Sequence, residues 1–174
     1  MSLRRLGRRA SLPPLSDEAG LRRYCRDVAE SQGTGLVEVA AAAAAGAEGP
    51  CLTYLYKRPE GTGFKFYGVV EAPVPGATWV WTPFAVERGT TGVREAVVTM
   101  RLLEAGRLTV ESYEASWARD PYEPAYAGVD RRTLRYLSDD AAYDAEFPEH
   151  PLTKVRREVR RLAGLRIPPP APAA

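Results

Sequence analysis

CLTYLYKRPEGTGFKFYGVVEAPVPGATWVWTPFAV, residues 51–86, is the stretch on which the fold turns. Its segments 51–57, 64–71 and 77–86 are rich in aromatic and β-branched residues, with the turn-forming PEGTG (59–63) and PVPG (73–76) between them. They therefore read as three adjacent strands of an antiparallel meander. Alternation gathers Phe64, Phe66 and Val70 on one face of the second strand and Trp79 and Trp81 on one face of the third, as in a sheet covered by helices. Pro83 has no amide hydrogen to give a ladder, so it is expected at an edge, a bulge or a strand end.

Upstream, Ser16 can cap a helix with Asp17 and Glu18 in its first turn and Leu21, Tyr24, Cys25 and Val28 on one face, ended by Gly33-Thr34-Gly35. Residues 36–45 are ambiguous, since their alanines favour helix and Leu36-Val37-Glu38-Val39 suits a strand. Turn signals a dozen residues apart decide for a strand. Downstream, Val93, Ala96, Val97, Met100 and Leu103 recur at helical spacing while Arg94, Glu95, Arg101 and Glu104 face away. Thr91 can cap this helix and Gly106 can close it. Val110, Tyr113 and Trp117 suggest another helix after Thr109. Asp130 can cap a short one through Leu134 and Leu137, and Pro151 opens a last one with Leu152, Val155, Val159 and Leu162 inward. Residues 118–129 read as a loop. The expectation is an α+β fold: an antiparallel sheet of about four strands with helices packed mainly on one face. The domain would span 15–167, between a disordered basic arm at 1–14 and a Pro/Ala tail at 168–174.

At 174 residues, with 45% hydrophobic and 26% charged, the chain has the length and the apolar content of one globular domain. No run approaches the roughly 20 apolar residues of a membrane span, and MSLRRLGRRASLPPL lacks the apolar run of a secretory signal. A cytoplasmic protein without a membrane partner is expected. Cys25 and Cys51 have no CxxC spacing and read as buried small hydrophobes. The net charge of +2 is uneven, with Arg4, Arg5, Arg8 and Arg9 ahead of Leu15, six bases against Glu158 over 154–166, and a negative middle. In a chain this near neutral, the pattern reads as an arm and a solvated helix face holding Arg156, Arg157, Arg160 and Arg161. A nucleic-acid partner is not expected.

The usual nucleophile patterns are missing: there is no GxSxG, and the sole histidine, His150, reads as a helix-entry residue. PEGTGFK lacks the GxxxxGK[ST] spacing and is a hairpin turn. Asp139, Asp140, Asp144, Glu146 and Glu149 form an acidic run without a lysine or arginine. If a helix starts at Ser138, Asp140 and Asp144 share a face that could hold Mg²⁺. Capping and the helix dipole use the same charges without an ion, so no metal and no cofactor are expected.

The small-ligand candidate is ERGTTGVRE, 87–95. A glycine-flanked helix start exposes amides, Thr90 and Thr91 add hydroxyls, and Arg88 and Arg94 supply charge for a phosphate or carboxylate. Glu87 and Glu95 weaken that field, and in the plainer reading they pair with the arginines while Thr91 caps the helix. Tyr122 and Tyr126, in a Pro-rich loop, would offer an interaction surface to a protein partner. The expected function is a non-enzymatic protein-interaction module. The alternatives are an anion-binding or enzymatic domain using the Arg88 to Arg94 turn, and a weak nucleic-acid-associated protein using its basic ends. The pattern VWT (80–82), ERGTTGVREA (87–96) and FPEHPLTKVR (147–156) resembles a family of uncharacterised bacterial proteins. That resemblance implies no activity and no site residues.

Overall fold

The computed structural model describes residues 2–7, 13–14, 16–42, 47, 49–128 and 130–165. The fold is α+β. The sheet strands are β1 (Ser2–Gly7), β2 (Gly35–Ala42), β3 (Cys51–Glu60), β4 (Gly63–Val74) and β5 (Ala77–Thr82), in the order β1-β5-β4-β3-β2 with antiparallel neighbours. The expected third strand of the meander is split at Pro83. β5 pairs with the far half of β4, and a separate β6 (Phe84–Val86) pairs with Lys65, Phe66 and Tyr67 on the same edge. The missing amide hydrogen of proline forces the break, and the Pro83 carbonyl accepts from the Gly68 amide at 2.9 Å.

One expectation is corrected at the N-terminus. Ser2–Gly7, assigned to a disordered basic arm, is an edge strand whose backbone runs from Ser2 opposite Thr82 to Gly7 opposite Ala77. The free edge of β5 supplies the ladder, so pairing does not require the apolar alternation that this arginine-rich stretch lacks. Residues 8–12 of the arm and the 168–174 tail lie outside the described residues.

α4 (Pro151–Ala163) covers one face of the sheet, where Leu55, Phe64, Phe66 and Val70 meet the expected Leu152, Val155, Val159 and Leu162. α1 (Glu18–Ser31) covers the other, packing Leu21, Cys25 and Ala29 on Leu36, Leu52, Tyr54, Tyr56 and Val69. Its cap is Asp17, not Ser16: the Asp17 carboxylate accepts from the Gly20 amide at 2.9 Å. α2 (Val93–Glu104), α3 (Val110–Ser116), and a short ladder of β7 (Ala118–Arg119) with β8 (Arg135–Tyr136) enclose a third cluster around Val98, Leu102, Trp117 and Leu134. The expected cap of α3, Thr109, forms a capping box with Ser112. Between β8 and α4 the chain runs through tight 3-10 turns, Leu137–Asp139 and Ala141–Tyr143. Among the described residues, no helix is long and apolar enough to cross a membrane.

A bulge between Leu36 and Glu38 changes the pairing parity of β2, so that Leu36 lies opposite Tyr56 while Glu38 lies opposite Leu55. Glu38 is thereby turned toward α4, where it meets Arg156. α4 lies close over β4 at Gly68, where an added Cβ would sit 2.2 Å from Val159 Cγ2 and 3.0 Å from Val155 Cγ1. Gly68→Ala should therefore lower the stability by about 1–3 kcal/mol through overpacking. Urea melts measure this, and an unchanged midpoint would show that α4 is not held against the sheet there.

Candidate functional site

The turn from β6 into α2 already contains its anion. The Glu87 carboxylate accepts from the Phe64 amide at 2.9 Å and from the Gly92 amide at 3.3 Å, which is the position an external phosphate or carboxylate would take. Gly89 and Gly92 turn the chain with φ of +72° and +74°. The cap of α2 is Gly92, without a side-chain bond, while the Thr91 hydroxyl reaches Thr62 across the turn. Arg88 and Thr90 are exposed.

Arg94 is withdrawn from the turn altogether. It is fully buried, and its guanidinium donates to the Ser138 carbonyl at 2.7 Å, the Asp140 carbonyl at 2.8 Å, the Thr153 hydroxyl at 2.8 Å and Asp144 Oδ1 at 3.1 Å. Its partner is thus Asp144, neither an outside ligand nor Glu87. Arg156 completes the cluster with bonds to Asp144 at 2.6 Å, Glu38 at 2.9 Å and the Asp139 carbonyl at 2.9 Å. The Arg156 guanidinium is pulled down by burial, but Glu38 and Asp144 outweigh this and raise its pKa. The expected solvated basic face of α4 is corrected at Arg156, which is buried, while Arg157, Arg160 and Arg161 are exposed as expected, Arg161 beside Glu158.

The acidic run is answered by cations from elsewhere in the chain. Lys57 takes Asp139 at 2.7 Å, Arg135 takes Asp140, Arg101 takes Glu146 and Lys154 takes Glu149. Asp140 and Asp144 stand on 3-10 turns with these partners, not on one helix face.

A second buried polar group lies beside this cluster. Glu87 at the end of β6, Glu95 in the first turn of α2 and His150 at the cap of α4 bring one donor atom each within 4.8 Å of one another. His150 Nε2 is 3.4 Å from Glu87 Oε1, Nδ1 accepts from the Leu152 amide at 3.3 Å, and the Phe66 ring packs edge-on to the imidazole. His150 is therefore the helix-entry residue that the sequence suggests, and it also faces two carboxylates. Both oxygens of Glu95 are buried without a hydrogen-bond partner among the described residues, and His150 Nε2 has only the long contact with Glu87. Burial, reinforced by the charges of Asp139 and Glu87, raises the Glu95 carboxyl above its ordinary range. Burial also raises Glu87, but His150 and the two amides outweigh it and hold that carboxyl low. Lys57, enclosed by the Tyr136 and Phe64 rings, is lowered by burial against the pull of Asp139.

Tyr122 and Tyr126 are half-buried and fasten their loop to β2 and α1. The Tyr122 hydroxyl takes the Val39 amide of β2 at 2.8 Å and lies 3.3 Å from the Val39 carbonyl, and Arg22 covers its ring. Arg26 lies over Tyr126 and pairs with Asp120. A groove of about 320 Å³ between α4 and β2–β3 is lined by Ala40, Leu55, Val159 and Ala163. Of its polar lining, Glu38 and Arg156 are bonded to each other and Thr53 donates to the Ala40 carbonyl, while Arg160 is exposed.

Among the described residues, large hydrophobics are exposed singly at Phe84, Val110 and Leu165 and as a group on α2. Its buried residues are Arg94, Val98 and Leu102, whereas Met100 is 60%, Val93 47% and Leu103 38% exposed. The expected orientation is corrected at Val93, Ala96, Met100 and Leu103, which face outward, and at Arg94, which is buried, while Arg101 and Glu104 are exposed as expected. Periodicity locates an apolar stripe, but buried partners for Arg94 turn that stripe outward.

Comparison with protein-family models, with curated proteins and with solved structures finds no match to this chain. Sequence reasoning did not connect Lys57, Glu87, Glu95 and His150. A signal was present in Lys57, which has the inward parity of Cys51 and Leu55 on β3.

Arg94→Met should destabilise the protein by about 3–5 kcal/mol, because Asp144 and two carbonyls lose a buried charged donor. Arg88→Ala, at an exposed position, should stay within about 0.5 kcal/mol. Denaturant melts of the two variants make the comparison, and equal midpoints would remove Arg94 from the core.

Proposed function

We propose that this domain is a non-enzymatic protein-interaction module that works through the outer face of α2, and that its partner there is a second copy of the chain. The observation that carries the proposal is the outward apolar stripe of α2. Val93, Ala96, Met100 and Leu103 are spaced 3, 4 and 3 apart, the a/d spacing of a helix-pairing seam. Val93, Met100 and Leu103 are large exposed hydrophobics on one short helix, and Ala96 between them is exposed as well. Such a contiguous stripe marks a contact surface, in contrast to the singly scattered apolar residues of an ordinary surface.

The seam is self-complementary. In an antiparallel twofold pair centred on Val98, the small Ala96 comes opposite the long Met100, and Val93 opposite Leu103. Glu104, exposed at the C-terminal end, then meets the positive N-terminal end of the partner helix. Arg101 at the rim is already neutralised by Glu146. We assign the protein to the cytoplasm, a reducing compartment suited to a buried thiol such as that of Cys51, which forms no disulfide.

Sedimentation velocity over a concentration series should give the mass of two chains, and Met100→Glu should give one chain with unchanged circular dichroism. A monomer at every concentration, or a dimer that Met100→Glu leaves intact, would overturn the proposal.

A further inference from the structure

We infer that Glu87, Glu95 and His150 form a binding site for a divalent first-row transition ion of the Zn²⁺ or Mn²⁺ class. The three residues come from three elements, the end of β6, the first turn of α2 and the cap of α4, and their donor atoms converge within 4.8 Å. The His150 side chain is 9% exposed and that of Glu87 5%. Both oxygens of Glu95 are buried and have no hydrogen-bond partner among the described residues, and the contact of His150 Nε2 with Glu87 is a long 3.4 Å. Buried polar atoms carry a desolvation cost when left unpaired, and a cation at their centre would satisfy all three.

The charge balance points the same way. Lys57, which interacts electrostatically with both Glu87 and Glu95, is committed to Asp139 at 2.7 Å. Glu87 then faces the imidazole, and a divalent ion between them would supply the charge that lets the buried Glu95 ionise beside them. The donor set selects the ion: one nitrogen and two carboxylate oxygens suit a first-row transition metal, whereas Mg²⁺ and Ca²⁺ take oxygen ligands. Zinc bonds of about 2.0–2.2 Å in a tetrahedron place neighbouring ligand atoms roughly 3.3–3.5 Å apart. His150 Nε2 and Glu87 Oε1 already stand 3.4 Å apart, so Glu95 closes the site by a side-chain movement and water takes the fourth position. The backbone supports the ligands through the Phe64 and Gly92 amides on Glu87. A metal on Nε2 takes its lone pair and moves the ring proton to Nδ1. The contacts given up are two long ones, the 3.3 Å bond from the Leu152 amide to Nδ1 and the 3.4 Å approach of Nε2 to Glu87, which the metal replaces.

The test is isothermal titration of the full chain, first stripped with a chelator, with Zn²⁺, Mn²⁺ and Mg²⁺. Zn²⁺ or Mn²⁺ should bind one per chain, raise the melting temperature, and outcompete Mg²⁺. Glu95→Gln, which keeps the shape of the side chain, and His150→Asn, which keeps a capping oxygen, should each weaken binding by more than the roughly 10–100-fold that loss of a second-sphere partner costs. Glu149→Gln, at an exposed neighbouring carboxylate, should leave it unchanged. Because His150→Asn alters a helix cap, Co²⁺ spectroscopy of the wild type gives an independent reading: a visible band of tetrahedral intensity supports the site. Failure of Zn²⁺ and Mn²⁺ to bind one per chain, binding that survives Glu95→Gln, or Co²⁺ spectra of the hydrated ion would overturn the inference.

Discussion

Two buried arginines, Arg94 and Arg156, converge on one carboxylate, Asp144, and this contact organises the surrounding structure. The chain between β8 and α4 has only short 3-10 turns of its own. Such a segment cannot close its backbone hydrogen bonds internally. The guanidinium groups supply the missing donors, Arg94 to the carbonyls of Ser138 and Asp140 and Arg156 to that of Asp139. Each partner needs the others, because a guanidinium without acceptors and a carbonyl without donors are both costly when buried. The cluster ties α2, α4 and the bulged strand β2 to a segment that would otherwise have no fixed position. Buried ion pairs add little net stability over apolar packing, and here their role is to specify one arrangement of the elements.

The orientation of α2 follows from that contact. Once Arg94 is directed inward, the 3.6-residue period carries Val93, Ala96, Met100 and Leu103 to the outside. The same rotation brings Glu95 toward Glu87 and His150. The apolar seam and the buried polar group are therefore two sides of one helix setting, and a single residue couples them.

The sheet was legible because aromatic and β-branched runs alternate between strong turn signals, and α4 because its four apolar positions repeat cleanly. α2 was legible as a helix but not in its orientation. Hydrophobic periodicity assumes an apolar interior, and at Arg94 the interior is charged. The acidic run was read as lacking cations because Arg94 and Lys57 lie 50 and 82 residues from Asp144 and Asp139. The binding turn was read as open because no spacing rule says that Glu87 folds back onto the Phe64 and Gly92 amides. Strand β1 was missed for a related reason, since an edge strand can be held by the backbone of its neighbour and needs no alternation of its own.

The central claim, that Arg94 is a core residue around which α2 is set, is tested most directly by NMR of arginine side chains. The measurement is the exchange of Nε hydrogens with water. The Arg94 and Arg156 signals should be strongly protected and shifted, far slower to exchange than that of the exposed Arg88. An Arg94 hydrogen exchanging as fast as that of Arg88 would place the guanidinium in solvent and contradict the arrangement.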